Sequence, residues 1–201
     1  MTGVDTTAPG TVPRQWLSER QSASVTALLD AALDEVRAVG FEKLTVRSVA
    51  HRAGLTHTTA YSYFTSKAHL ISELHWRQMQ AIPAPRVAPD ATFVDRVCAA
   101  FEGPSAALAA DPRLSRAVFM AIISDEPDVT RIRGAVAAGT IGHLRAALGP
   151  FDDPELVSAL FMAYSGAMML VGTGNRDFLE VIPRMRALAR LIDPTSSAGH
   201  R

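Results

Sequence analysis

Between Val25 and Ile71 the chain offers three short helical segments and the start of a fourth, closed off by glycines, and this punctuation limits the fold more than any other feature. Val25, Leu28, Leu29, Ala32, Leu33, Val36 and Val39 recur at steps of three and four, the spacing that gathers apolar side chains on one helix face. Gly40 closes that helix, because glycine accepts the left-handed backbone of a helix terminus. Thr45 is placed to cap the free N–H groups of Val46, Arg47 and Ser48. Val46, Val49, Ala50 and Ala53 then face inward from a second, short helix. Gly54 supplies a tight turn, Leu55 plugs the core, and Thr56 caps a third helix running from His57 to Tyr63 or Phe64. Two short helices joined by a glycine-containing turn form the helix-turn-helix unit, whose second helix enters the major groove of DNA.

The same punctuation also fits three ordinary helices of an all-α core, so the composition of the third helix has to decide. His57, Thr58, Thr59, Tyr61, Ser62 and Tyr63 make a face too polar for burial, anchored by Ala60 and Phe64, and no acidic residue stands between Thr56 and Lys67. A merely solvated face carries Glu and Lys four residues apart. This one carries donors suited to phosphates and base edges. Over the 201 residues, 20 basic and 20 acidic side chains balance, so no general attraction to nucleic acid follows. Locally the balance tips: between Thr45 and Arg77, Arg47, Arg52, Lys67 and Arg77 meet only Glu73, and four of the six histidines lie in the same stretch. A patch of that size binds weakly alone and far better when doubled, since each neutralised phosphate adds counterion release.

The run from Val25 to Ile71, with L-T-V-R-S-V-A-H-R-A-G-L-T-H-T-T-A-Y-S-Y-F-T-S-K from Leu44 to Lys67 within it, resembles the N-terminal domain of the TetR family of one-component transcriptional repressors, a likeness that covers roughly the first two fifths of the chain. The remainder of the chain matches that family only in length and helical character. The resemblance implies a DNA-contacting set of Thr45, Arg47, Thr56, His57, Thr58, Thr59, Tyr61, Tyr63 and Lys67. In it Arg47 reads a guanine edge, His57 and Thr58 face bases, and Thr59, Tyr61 and Lys67 grip phosphates, the lysine close to the N-terminus of a fourth helix. Tyr63 stands where the family often has histidine and Ala60 where it often has leucine, while Phe64 is expected in the core. The resemblance also implies a homodimeric repressor on a palindromic double-stranded DNA operator. A small hydrophobic effector would release it by tilting the fourth helix, with a coupling of about 1–3 kcal/mol. The run D-P-R-L-S-R-A-V-F-M-A-I-I-S-D-E-P-D-V is similar to the lipid- and steroid-responsive members.

The rest of the sequence divides as follows. Residues 1–20, rich in Thr, Pro and Gly, read as a disordered arm in which Arg14 and Arg20 could touch DNA; the helix-turn-helix domain spans 21–81. Prolines 83, 85 and 89 mark a linker over 82–90, because proline ends a helix and forbids immediate re-entry into another. The fourth helix, Ser66 to about Ala81, is therefore shared between the two halves. A larger helical domain over 91–193 and a disordered tail over 194–201 complete the chain. In that domain Phe93, Val94, Val97, Cys98 and Phe101 share a face, a break is expected at Gly103-Pro104, and Ala106 to Ala110 follows as a separate piece. A helix bearing Leu114, Val118, Ile122 and Ile123 comes next, and then one from Asp128 to Leu148. No β-alternation persists, so the fold class is all-α.

Two closing helices are apolar beyond what one chain of this size can cover, and Leu156, Leu160, Met168, Phe178, Ile182 and Met185 are expected at a two-fold homodimer interface. Trp76, Phe93, Phe101, Phe119, Met120, Ile123, Phe161 and Tyr164 are expected to line an effector pocket, although the same residues would also make a plain core. No G-x-G-x-x-G, P-loop or H-E-x-x-H run is present, nor a His/Cys cluster at metal-ligand spacing, so no enzyme, metal or cofactor is expected. No stretch approaches the roughly 18 uninterrupted apolar residues of a membrane span; the longest, Leu156 to Thr173, is interrupted by Ser158, Tyr164, Ser165 and Gly166. With a single cysteine, Cys98, a cytoplasmic protein without a membrane partner is expected. The competing reading is a helical DNA-binding or adaptor protein that takes no effector.

Overall fold

The computed structural model describes residues 19–174 and 178–195. The arm before Glu19, the side chain of Arg20, the turn residue Asn175 and the tail from residue 196 onward lie outside the described residues. The helices are α1 (Glu19–Lys43), α2 (Val46–Arg52), α3 (His57–Tyr63), α4 (Lys67–Gln80), α5 (Phe93–Ala109), α6 (Pro112–Ile122), α7 (Pro127–Leu148), α8 (Pro154–Gly172) and α9 (Val181–Leu191). Short 3-10 turns, Gly149–Phe151 and Phe178–Glu180, precede α8 and α9. The chain is all-α, and no strand occurs among the described residues.

The boundaries in the first half follow from local chemistry. At Gly40 the backbone takes φ 75° and ψ 169°, which breaks α1; the chain then coils one more turn to Lys43. Thr45 caps α2 by accepting from the Ser48 amide, and the Ser48 hydroxyl accepts in return from the Thr45 amide, a reciprocal capping box. Thr56 caps α3 through the Thr59 amide, and Ser66 caps α4 through the His69 amide. Between α2 and α3, Gly54 adopts φ 68°, as the tight turn requires.

α4 holds the molecule together. Its residues Ala68 to Ser72, Leu74 and His75 are buried, and it packs against α1, α6 and α7. The linker that follows is anchored by one charge: the Arg96 guanidinium, 8% exposed, donates to the carbonyls of Ala88, Pro89 and Ala91, and to Ala147 at the end of α7. A single side chain thus satisfies backbone acceptors of the linker and of a helix terminus.

Several expectations need correction. The break at Gly103-Pro104 does not occur, and α5 runs through it to Ala109. A side chain before proline normally clashes with the ring in a helix; Gly103 has none, and a Cβ there would stand 2.7 Å from Ile82 Cγ2. Ile123 leaves the apolar stripe of α6 and is 61% exposed at its C-cap. α8, nineteen residues with a mean hydropathy of 1.5, is after all long and apolar enough to cross a membrane by length and composition, and only 28% of it is buried within the chain.

Two measurements test this packing. Arg96→Ala leaves the carbonyls of Ala88, Pro89, Ala91 and Ala147 without their donor and should lower unfolding free energy by about 3 kcal/mol, with faster amide exchange along the linker; an unchanged urea midpoint would contradict the anchoring role. Burial pushes the His75 imidazole from its ordinary 6.5 down to about 4. The unfolded chain therefore takes up a proton below 6.5 that the folded chain refuses until about 4. Stability should fall across that window by about 3 kcal/mol. Burial lowers His69 in the same direction, so His75→Leu should flatten the pH dependence of urea unfolding without abolishing it.

Candidate nucleic-acid interface

α3 presents two opposed faces. Ala60 and Phe64 are buried and Tyr63 is half-buried against the core, whereas His57, Thr58, Tyr61 and Ser62 are exposed, Tyr61 by 51%. Residues 57, 58, 61 and 62 recur at the helical repeat, so the polar face read from the sequence is a solvent-facing stripe. Thr59 sits between the faces, its hydroxyl 2.9 Å from that of Thr56. The Ser62 hydroxyl is turned back to the Thr59 carbonyl at 2.7 Å. Thr45, Thr56, His57, Thr58 and Tyr61 thus stand exposed on the α2–α3 side, and Tyr63 leans inward as a packing residue.

The cations divide sharply. Arg52 is spent on Glu35 of α1, with Nη2 2.7 Å from Oε2, and Arg77 pairs with Asp30 at 3.0 Å. Lys67 lies with its ammonium 4.6 Å from the centre of the Phe41 ring and donates to the carbonyls of Phe41 and Glu42, at 3.0 and 3.2 Å. It therefore closes the last turn of α1, with one ammonium proton left for a phosphate. Of the four basic residues counted from the sequence, Arg47 alone, exposed on α2, has no protein partner among the described residues. One turn later on the same face stands His51, also exposed, which the sequence reading passed over although its spacing of four from Arg47 was the signal.

The turn after α3 is held from the other half of the molecule. Ser66 Oγ donates to Glu126 Oε2 at 2.5 Å, and Thr65 Oγ1 donates to Asp128 Oδ2 at 3.3 Å. The Thr65 amide donates to His69 Nδ1 at 3.2 Å, which requires that nitrogen to be an acceptor and the ring neutral, in keeping with the lowering of its pKa by burial. Glu126 and Asp128 belong to the start of α7, so the turn that follows α3 is braced directly by the larger domain. At the other end of the junction Asp111, the N-cap of α6, pairs with Arg37 of α1 at 2.6 Å. Burial pushes the Asp111 carboxyl up, but the Arg37 guanidinium and the backbone amides of Leu114 and Arg113 together outweigh it and hold the carboxyl below its ordinary value.

Chain-wide comparison fits this geometry. Residues 28–74 match the model of the bacterial regulatory proteins of the tetR family. HTH-type transcriptional regulators from Mycobacterium tuberculosis and Mycobacterium bovis are each 31% identical over 177 residues, 87% of this chain and 83% of theirs. The chain belongs to the tetR family. It is a DNA-binding transcriptional regulator of the helix-turn-helix type. The fold is shared with a TetR transcriptional regulator from Rhodococcus sp. RHA1, with a TM-score of 0.74 at 22% identity over 86% of this chain and 96% of that one. It is shared more distantly with FadR from Bacillus subtilis, solved in complex with stearoyl-CoA, with a TM-score of 0.58 at 16% identity over 82% and 96%.

The residues expected around an effector are not brought into one chamber. Phe93 and Phe101 are core, at 1% and 0% exposure; Phe101 stacks on Tyr164 at 4.2 Å, and the phenol, pushed up to about 12 by burial, lies 3.4 Å from Ser105 Oγ. Phe119 and Met120 line a surface groove of about 860 Å³ with Val171 and Phe178. Phe161 is half-buried on α8 and Ile123 is on the surface. Trp76 alone of the set lines a cleft of about 250 Å³ between α4, α5 and α7, with Met79, Ile82, Pro104, Thr140 and His143.

Arg47 and Lys67 separate in a binding experiment. Arg47→Ala should cost about 1–3 kcal/mol and relax preference at one base pair; equal loss on every sequence would make it a phosphate contact. Lys67→Ala should weaken binding evenly, flatten the salt slope by about one unit and also lower thermal stability, because the end of α1 loses its cap.

Proposed function

We propose that this regulator is a homodimeric repressor that binds an imperfect palindrome and is released by a small, largely apolar effector. The observation that carries the reading is the double membership of α4. Its N-cap turn is tied to α3 and to Glu126 and Asp128, and its far end forms one wall of the Trp76 cleft. A ligand that prefers a wider cleft shifts α4, and the shift reaches the reading helix without an intermediary. The cleft lies just under the usual range of ligand pockets, about 300–1,000 Å³, so an effector of ordinary size binds only as α4 moves. FadR was solved with stearoyl-CoA, whose long acyl chain is apolar although its CoA part is charged, and SmeT with triclosan; both proteins share this fold, and they support an effector with a substantial apolar part.

The dimer face we assign differs from the stripe expected from the sequence. Leu160, Met168 and Met185 are buried within their own chain, and Leu156, Phe178 and Ile182 pack against that core. On the outer face of α8, Ala159, Met162, Gly166, Met169 and Leu170 are exposed, Met162 by 66%. Small residues among methionines suit close, adaptable helix packing. A second copy laid on this face covers it and sets two reading helices one turn of DNA apart, roughly 34–36 Å.

Selection of bound duplexes from a random pool tests the reading. Two half-sites centred about 10–10.5 base pairs apart, or a multiple of that spacing, are expected; enrichment of a lone half-site, or none, would refute it. Met162→Glu should yield monomers by sedimentation and abolish binding to the selected palindrome while leaving the helical signal intact.

A further inference from the structure

Three buried polar side-chain atoms lack a hydrogen bond among the described residues; Arg77 Nη1 has Asp30 as an ion-pair partner, which leaves Ser72 Oγ, on a residue 0% exposed, and His75 Nδ1, on a residue 5% exposed, with no partner. Native interiors rarely leave such groups unsatisfied, and here both lie on α4, three residues apart, where side chains are neighbours. Each stands one turn before an α4 residue that lines the cleft, Ser72 before Trp76 and His75 before Met79. Side chains on a helix lean toward its N-terminus, so Trp76 and Met79 extend back toward Ser72 and His75. Ser72 and His75 do not themselves line the cleft; Trp76 and Met79 stand between it and the unsatisfied pair, so a ligand reaches them only as those side chains swing aside.

We propose that Ser72 and His75 form a polar notch, in the seam where α4 meets α7, that anchors an apolar ligand through one uncharged hydrogen-bonding group, a hydroxyl or a carbonyl. This rests on the effector reading above and names the chemistry of that effector. None of the residues lining the cleft is Asp, Glu, Lys or Arg. An ammonium entering there would be stripped of water with no countercharge and a carboxylate would meet only the His143 imidazole, whereas a hydroxyl or carbonyl finds what it needs. The Ser72 hydroxyl both donates and accepts, and the imidazole nitrogen takes either role according to its tautomer. Burial keeps His75 neutral at neutral pH, which favours an uncharged group over an anion. Both anchors ride on α4, so a ligand held by them moves the helix that carries the N-cap of the reading turn.

The test uses the full chain and three probes of one shape: 4-butylphenol, butylbenzene and 4-butylbenzoate, titrated calorimetrically against the unaltered protein, Ser72→Ala and His75→Leu. The phenol should bind about tenfold tighter than either of the others, as one well-placed buried hydrogen bond implies. Each variant should erase most of that advantage while still binding butylbenzene. Ser72→Ala should also melt at an equal or higher temperature, since it removes an unsatisfied hydroxyl. No binding by any probe, equal binding by all three, or a phenol preference that survives in both variants would overturn the proposal. The two readings fail differently. Phenol selectivity that depends on Ser72 and His75 but leaves binding to the selected palindrome unaltered would keep the notch and remove the effector. Release from DNA by another compound, unchanged in both variants, would remove the notch and keep the effector.

Discussion

Seven of the eight residues from Ala68 to His75 are buried, and that burial constrains everything else in the molecule. A helix wet on one side can slide at little cost, but α4 is enclosed by α1, α6 and α7. Interiors of this kind are close-packed and shift between discrete arrangements rather than deforming smoothly. Whatever displaces α4 in the cleft must therefore displace the helix-turn-helix unit as well. The reading head and the larger domain share one core, and this would be the physical basis for the proposed coupling between them.

The polar ties around that core do a different job from the apolar contacts. Arg37–Asp111 and Arg77–Asp30 are partly exposed, and pairs of that kind contribute about 0–1 kcal/mol each. They stabilise little, but each joins a residue of the first domain to a defined position, and they fix register. The hydrogen bonds from Ser66 to Glu126 and from Thr65 to Asp128 are likewise directional and sit where register matters most, at the turn joining α3 to α4. Weak, directional contacts laid over a strong apolar core make the orientation of the reading helix adjustable without threatening the fold.

How much could be read from the residues depended on the range of the forces involved. Thr45, Thr56 and Ser66 cap helices through amides three residues away, and Gly40 and Gly54 take positive φ for reasons internal to each turn, so the helix-turn-helix unit was legible almost to the residue. The exposed stripe of α3 followed from its repeat. By contrast Arg52 meets Glu35 across 17 residues and Lys67 meets the Phe41 carbonyl across 26, and no local pattern announces either. The continuity of α5 through Pro104 depends on Ile82 filling the space beside Gly103, a tertiary fact. On α8 the ambiguity has another cause: a helix apolar all round has no preferred face, and Leu160 and Met168, expected at a partner, are covered by their own chain.

That outer face of α8 bears on why one reading head would not suffice. With Arg52 and Arg77 paired within the chain and Lys67 mostly engaged by α1, a single head has few free charges for phosphates, and its affinity for any duplex is correspondingly low. Two heads on a rigid pairing bind as one unit, the second at the high effective concentration set by the first, but only while their separation matches the groove repeat. In the proposed dimer, a small tilt of α4 in each subunit would be enough to mismatch both half-sites. On the proposed dimeric reading, the sparse charge of the head, the uncovered face of α8 and the enclosed α4 would be parts of one design: binding weak enough singly to be lost whenever the pair falls out of register.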